Sequence, residues 1–256
     1  MIAGQAPRRR KPPKLDALLA ATLNVPDRPV AFVLAGHNGS GKSTLWYERL
    51  APTLKIPLIN ADRLTLSILP SPDSMTNMLP GWATKLRDTD QRWQKLSQEG
   101  VQLFMGLIMD KKMPFAFETV FSHFRELENG KVESKIDQIL ALQKAGYYVV
   151  LLFVGLMSTD ISILRVKTRH ASGGHSVPAD KLLERFPRTQ KAVASAAPIA
   201  DMTLMFDNSR DISKAFTLVR AQAKKKVLFD CRASQFIHDA SLLAVAEPWL
   251  SKIAKA

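Results

Sequence analysis

The chain has 256 residues, 46% of them hydrophobic and 23% charged, and a formal net charge of +13. That size and apolar content suit one large α/β domain, or a domain with appendages, able to bury a full core. A single cysteine, Cys231, excludes an intramolecular disulfide and fits a reducing compartment. No apolar run approaches the length of a membrane span, so the cytoplasm is the default expectation.

In chain order, residues 1–28 read as a basic, flexible tail. Arg8, Arg9, Arg10, Lys11 and Lys14 crowd its start, and a short helix is expected over Leu15–Leu23. Asp16 interrupts the only apolar stretch behind the cluster, and that stretch is too short for an h-region, so a signal peptide is not expected. Such a tail suits nucleic acid or an anionic membrane surface, and equally a purely solubilising role. Pro26 and Pro29 then lead into Val30–Ala35, an apolar, partly β-branched run of strand length.

The segment that follows fits G-x-x-x-x-G-K-[ST]: Gly36, His37, Asn38, Gly39, Ser40, Gly41, Lys42, Ser43 and Thr44. Residues 43–50 read as the first turns of a helix, so the motif lies between a strand and a helix, the context it needs. Its glycines let backbone N–H groups curl round phosphate oxygens at a helix N-terminus. Lys42 is expected to reach the β- and γ-phosphates and the Ser43 hydroxyl to bind Mg²⁺, which points to ATP or GTP.

A short strand at 57–60 ends on Asn60-Ala61-Asp62, and a helical region broken near Pro80-Gly81 is expected over 73–112. A third strand, 113–117, closes on Glu118-Thr119. A helix over Ile136–Lys144 ends at Gly146, a plausible C-cap. Tyr147–Leu156 is apolar throughout, as a central strand buried on both faces should be. A basic helix from Ser158, a loop at 173–178 holding His175, and a helix from Ala179 follow. A fifth strand, Met202–Phe206, ends on Asp207-Asn208-Ser209. The last fifty residues combine the lysine run 224–226 with a short strand and an amphipathic tail. Strands alternating with helices predict an α/β fold with a parallel sheet covered on both faces. Ligands in such folds sit at the carboxyl ends of the strands, where the phosphate loop, Asp62, Glu118 and Asp207 all fall.

Phosphoryl transfer to a hydroxyl needs a proton-accepting carboxylate, metal coordination and cations for the γ-phosphate. Asp62 is the candidate base, although an Asx turn or helix N-cap would also place an aspartate there. Glu118 could hold substrate, support Mg²⁺ through water, or act as a strand-end acid of the ATPase type. Arg165 and Arg169 share a helix face, and Arg185 and Arg188 follow the glycine loop; together they suit a lid over ATP. No Cys or second His stands at ligand spacing, so zinc is not indicated.

The ordered series Gly36–Thr44, Asn60-Ala61-Asp62, Phe117-Glu118-Thr119, Gly146-Tyr147, Arg165…Arg169, 173–178 and Asp207-Asn208-Ser209 resembles the zeta-toxin family of bacterial P-loop kinases, particularly its chromosomal branch. The resemblance covers residues 29–210, which it makes the kinase domain, with a lid, and leaves 211–256 as a C-terminal extension. It implies transfer of the ATP γ-phosphate, with Mg²⁺, to UDP-N-acetylglucosamine. Asp62 would then be the base, Asp62, Glu118 and Thr119 the sugar-nucleotide contacts, Arg165, Arg169 and Arg185 the lid cations, and a small antitoxin a possible partner. The chain departs from the plasmid-type toxins, whose strand-three glutamate precedes a Gly-Thr-x-Arg pattern. Here Thr119-Val120-Phe121-Ser122-His123 follows, with no arginine before Arg125. A kinase for another metabolite or a nucleic-acid end, and a non-catalytic, nucleotide-gated nucleic-acid binder, stay open on the residues alone.

Overall fold

The computed structural model describes residues 10–23, 25, 27–119, 121–126, 132–172, 174, 177–236 and 239–255. Residues 1–9 of the basic tail, and Gly173, His175 and Ser176 of the glycine loop, lie outside them. Five parallel strands form the heart of the molecule: β1 (Val30–Gly36), β2 (Leu58–Ile59), β3 (Phe115–Glu118), β6 (Tyr148–Gly155) and β7 (Met202–Asp207). β1 is buried along its whole length and β6 along all but its first residue, which is why both read as unbroken apolar runs. Two further strands, β8 (Thr217–Ala223) and β9 (Lys226–Asp230), extend the same sheet antiparallel, giving the order β2-β3-β1-β6-β7-β8-β9. The link between β7 and β8 holds only a 3-10 turn, Ile212–Lys214. That is too short for the crossover a parallel neighbour requires, so the chain turns back.

From β1 the chain runs outward to β2, returns to β3, and then crosses to β6 on the other side of β1. The strand order therefore reverses beside β1, and a crevice opens at the carboxyl ends there. Helices α1 (Leu15–Leu23), α4 (Ala61–Leu66), α6 (Gln91–Asp110), α7 (Ile136–Lys144), α8 (Thr159–Ala171), α9 (Ala179–Ala196) and α10 (Ala240–Ile253) surround the sheet. A separate two-stranded sheet, β4 (Phe124–Glu126) with β5 (Val132–Ser134), falls between β3 and α7. Among the described residues no helix is long and apolar enough to cross a membrane.

Two expectations need correction. The helix after the phosphate loop is regular only at α2 (Lys42–Thr44) and α3 (Ala51–Leu54); between them Leu45–Leu50 is π-helical. This wider turn buries Leu45, Trp46 and Leu50 together, with Trp46 edge-on to Phe32 of β1. The helical region expected from Asp73 begins instead with α5 at Gly81–Thr89, followed by α6. Pro70, Pro72 and Pro80 supply no N–H donor. Asp73 also closes a turn, its Oδ1 accepting from the Met75 and Thr76 amides at 3.0 and 2.8 Å.

Candidate active site

The phosphate loop is shaped by its glycines and held open by its carbonyls. Gly39 and Gly41 take φ of +68° and +88°, the left-handed region that favours glycine. At Gly36 a Cβ would lie 2.6 Å from the Val154 carbonyl oxygen and 2.8 Å from Ser40 Oγ, so no larger residue fits. Ser162 Oγ of α8 donates to the Asn38 carbonyl at 2.7 Å, and Asn208 Nδ2 donates to the Ser40 carbonyl at 2.8 Å. These bonds fix the loop carbonyls outward, towards α8 and the end of β7. The amides of the helix that starts at Lys42 have no intrahelical acceptor. Ser40 Oγ and His37 Nε2 are buried without a partner in the same loop. A cradle of this shape, lined with unmet donors and carrying Lys42, fits the phosphates of ATP.

His37 is held from two sides. Its Nδ1 accepts the Leu156 amide at 3.0 Å, and its ring stacks on Phe186 of α9 with centroids 3.7 Å apart. Burial, with Lys42 and Lys252 nearby, lowers its pKa to about 3, so the imidazole stays neutral and Nε2 carries the proton. The loop is thereby packed against the helix that bears Arg185.

Glu118, at the tip of β3, is the hub of the opposite wall. Its Oε2 accepts from Ser43 Oγ at 2.8 Å and from Asn60 Nδ2 at 2.7 Å, and its Oε1 lies 3.6 Å from Lys42 Nζ. Parallel pairing of β3 with β1 brings it there, with Leu34 and Glu118 in register. Asn60 is the N-cap of α4, its Oδ1 accepting the Arg63 amide at 3.2 Å. Asp62 therefore sits in the first turn of α4 rather than at its cap, and its carboxylate is exposed towards the crevice.

A cleft of ≈ 340 Å³ joins these groups: Asn38, Gly39, Lys42, Asp62, Glu118, Thr119, Arg169 and Arg185 all line it. A second lobe of ≈ 580 Å³ opens on the other side of Asp62 and Glu118. It is bounded by Ser43, Tyr47, Arg63, Arg87, Trp93 and Arg169. Arg63 stands over the Tyr47 ring, 4.4 Å from its centroid. The structure thus brings together most of the residues singled out in the sequence, with two differences. Arg165 is half-buried against Gly39 and does not line the cleft; burial lowers its pKa, and Asp207 opposes that shift. Asp207 is buried, its Oδ2 accepting Trp249 Nε1 of α10 and Ser209 Oγ, both at 2.9 Å, and it faces inward rather than into the cleft. Sequence reasoning missed Lys135, Gln98 and Gln102, which line the cleft and belong to no motif, and it gave Asn60 of the Asn60-Ala61-Asp62 motif no role. It also missed Phe216, whose ring stands 3.2 Å from where a Gly41 Cβ would be. Phe216 itself has φ +57°, an uncommon conformation for an aromatic residue.

The fold recurs in solved structures. A chain of the PezAT chromosomal toxin–antitoxin system of the human pathogen Streptococcus pneumoniae aligns with TM-score 0.52 and 11% identity, over 94% of this chain and 87% of that one. AvrRxo1-ORF1:AvrRxo1-ORF2 with sulphate ions aligns with TM-score 0.56 and 15% identity, over 93% and 69%. AvrRxo1-ORF1:-ORF2 with ATP aligns with TM-score 0.51 and 16% identity, over 82% and 64%. At these identities the likeness is one of fold. Among curated proteins nothing matches. The family model described as zeta toxin matches residues 16–215, a span that carries the phosphate loop, Asp62, Glu118 and both arginine-bearing helices. This chain belongs to the zeta toxin family.

Proposed function

We propose that the chain is a cytoplasmic, ATP-dependent kinase that transfers the γ-phosphate to a hydroxyl of a sugar nucleotide, with UDP-N-acetylglucosamine as the leading acceptor. The observation that carries this reading is one cleft lined by the phosphate-loop lysine, Glu118 at the end of β3, Asp62 in the first turn of α4 and two arginines from helices α8 and α9. A phosphate-binding module alone has no use for Asp62 at that position. The remaining free amides of the phosphate loop and of the first turn after it hold the phosphates, and Lys42 neutralises the oxygens nearest transfer. Ser43 would hold Mg²⁺, its hydroxyl oriented by the hydrogen bond to Glu118, and the ion would supply charge neutralisation for the transferred phosphate. Asp62 takes the proton from the attacking hydroxyl, and Glu118 and Thr119 steady the acceptor. Arg169 and Arg185 face the charge that spreads over the γ-phosphate, while Arg165 braces the loop flank at Gly39. The two lobes that meet at Asp62 leave room for an acceptor larger than a simple sugar. An antitoxin partner belongs to this reading, supported by family membership and by the toxin–antitoxin source of one structural neighbour.

The test is transfer from γ-labelled ATP with Mg²⁺ to UDP-N-acetylglucosamine, beside a panel of other sugar nucleotides, nucleosides and oligonucleotides. Label on the UDP-sugar is expected. Label only on an oligonucleotide or nucleoside would overturn the acceptor, and no transfer despite bound ATP would overturn the kinase.

A further inference from the structure

The cleft contains a cation that the reading above does not use. Lys135 immediately precedes α7 as its N-cap residue and lines the cleft together with Lys42, Thr119 and Arg185. Its side chain is half-buried, yet among the described residues no carboxylate stands within ion-pair distance of it. Lys42 faces Glu118, and Arg220 and Arg232 share Asp230, whereas Arg165 and Arg185 are, like Lys135, half-buried without an ion pair among the described residues. Removing an ammonium from water without a counter-charge is unfavourable, and burial lowers the Lys135 pKa for that reason. Three residues on, and so on the same side of the helix, Gln138 also lines the cleft, with its side-chain carbonyl buried and without a partner. An unpaired cation in the wall of a cleft describes a site whose counter-charge is a ligand, and the Gln138 carbonyl beside it would accept from a hydroxyl or N–H of the same ligand. The α7 amino end, where Ser134 Oγ accepts the Ile136 amide at 3.2 Å and Lys135 supplies no cap, adds to the positive potential there. The nucleotide phosphates do not account for it, because Lys42 and the loop amides already supply their partners.

We propose that Lys135 is the acceptor-binding cation of this chain, taking a phosphate or carboxylate group of the acceptor at the mouth of α7 and so restricting the enzyme to anionic acceptors. The inference rests on the kinase reading of the cleft, and it deepens that reading by assigning acceptor charge to one residue. Lys135 touches the acceptor away from the reacting hydroxyl, so its removal should weaken acceptor binding and leave nucleotide binding alone.

The experiment uses the full chain saturated with Mg²⁺ and a non-hydrolysable ATP analogue, so that the phosphate loop is closed to other anions. Four probes are titrated calorimetrically: UDP-N-acetylglucosamine, glucose 1-phosphate, glucuronate and neutral N-acetylglucosamine. At least one anionic probe should bind the wild type. Its affinity should fall about tenfold or more in Lys135→Met, the scale of a charge-assisted contact, and recover in Lys135→Arg. Phosphate-bearing probes affected alone would identify the group as phosphate, and glucuronate affected alone as carboxylate. Affinity for the ATP analogue should be the same in all three proteins, which also shows that the variants are folded. Equal binding of anionic probes by wild type and Lys135→Met would overturn the proposal. So would an equal loss for neutral N-acetylglucosamine, or no anionic probe binding the wild type. Lys135-dependent binding without any γ-phosphate transfer by the wild type would instead remove the kinase reading and leave the anion site standing.

Discussion

At the scale of single residues, the site is built from groups whose neighbours leave them few alternatives. Gly41 is the sharpest case. A Cβ there would lie 2.9 Å from Asn208 Nδ2 and 3.2 Å from the Phe216 ring, on a backbone at φ +88°. Gly41→Ala should therefore cost about 1–3 kcal/mol of loop strain, weakening ATP binding by roughly 5- to 150-fold in a direct titration. An affinity equal to wild type would mean that the loop is more yielding than its contacts imply. His37 gives a pH signature. Its folded pKa, about 3, lies below the unfolded value of 6.5 because burial disfavours the cation. Between those values the unfolded chain binds the extra proton, so stability should fall as pH drops from about 6.5 towards 3. The contribution is at most about 1.4 kcal/mol per pH unit. Denaturant midpoints measured from pH 7 to pH 4.5 should decline less steeply in His37→Gln than in the wild type.

At the scale of elements, α10 is tied to the site it does not touch. Trp249 is fully buried, its ring lies 2.4 Å from where a Gly155 Cβ would be, and its Nε1 donates to Asp207 at the end of β7. The next residue, Asn208, holds the Ser40 carbonyl of the phosphate loop. Trp249→Phe keeps a ring there but removes the donor, leaving Asp207 one bond short. A loss of about 1–3 kcal/mol follows, seen as a lower melting temperature. Trp249→Phe should also raise the KM for ATP more than it changes the acceptor KM, since the strained link is to the phosphate loop.

How much of this was legible beforehand differs from element to element. β1, the phosphate loop and β6 could be read because their signals are local: an unbroken apolar run, a glycine pattern, a flanking helix. The reversal of β8 and β9 could not, because strand direction depends on the length of the β7–β8 link and on partners far away in sequence. The link Asp207–Trp249 spans 42 residues and no motif announces it. Lys135 escaped notice for a similar reason. It reaches the cleft through the packing of α7 against β6 and α9, and an isolated lysine ahead of a helix looks like any surface lysine. Asp62 and Glu118 were legible because both fall at or just after strand ends, where this architecture collects its chemistry.

At the scale of the whole molecule, a reversal of strand order beside β1 gathers groups from stretches far apart in the chain into one crevice. Most of the molecule serves to hold that crevice: the continuous core under β1 and β6, the lateral brace of α8 and α9, and the antiparallel edge that anchors α10. If ATP binds the folded chain alone, nucleotide at a hundred times its Kd should stabilise the wild type by about 2.7 kcal/mol, and Lys42→Ala should lose most of that shift. The central claim is that the crevice performs phosphoryl transfer with Asp62 as base. Its most direct measurement is γ-phosphate transfer by the wild type, Lys42→Ala and Asp62→Asn, with ATP affinity determined on the same three proteins. Asp62→Asn should bind ATP within a factor of about two of the wild type while transfer falls by about 10²–10⁴, the range expected for loss of a general base. Lys42→Ala should lose both. An Asp62→Asn protein that transfers phosphate at the wild-type rate would contradict the account.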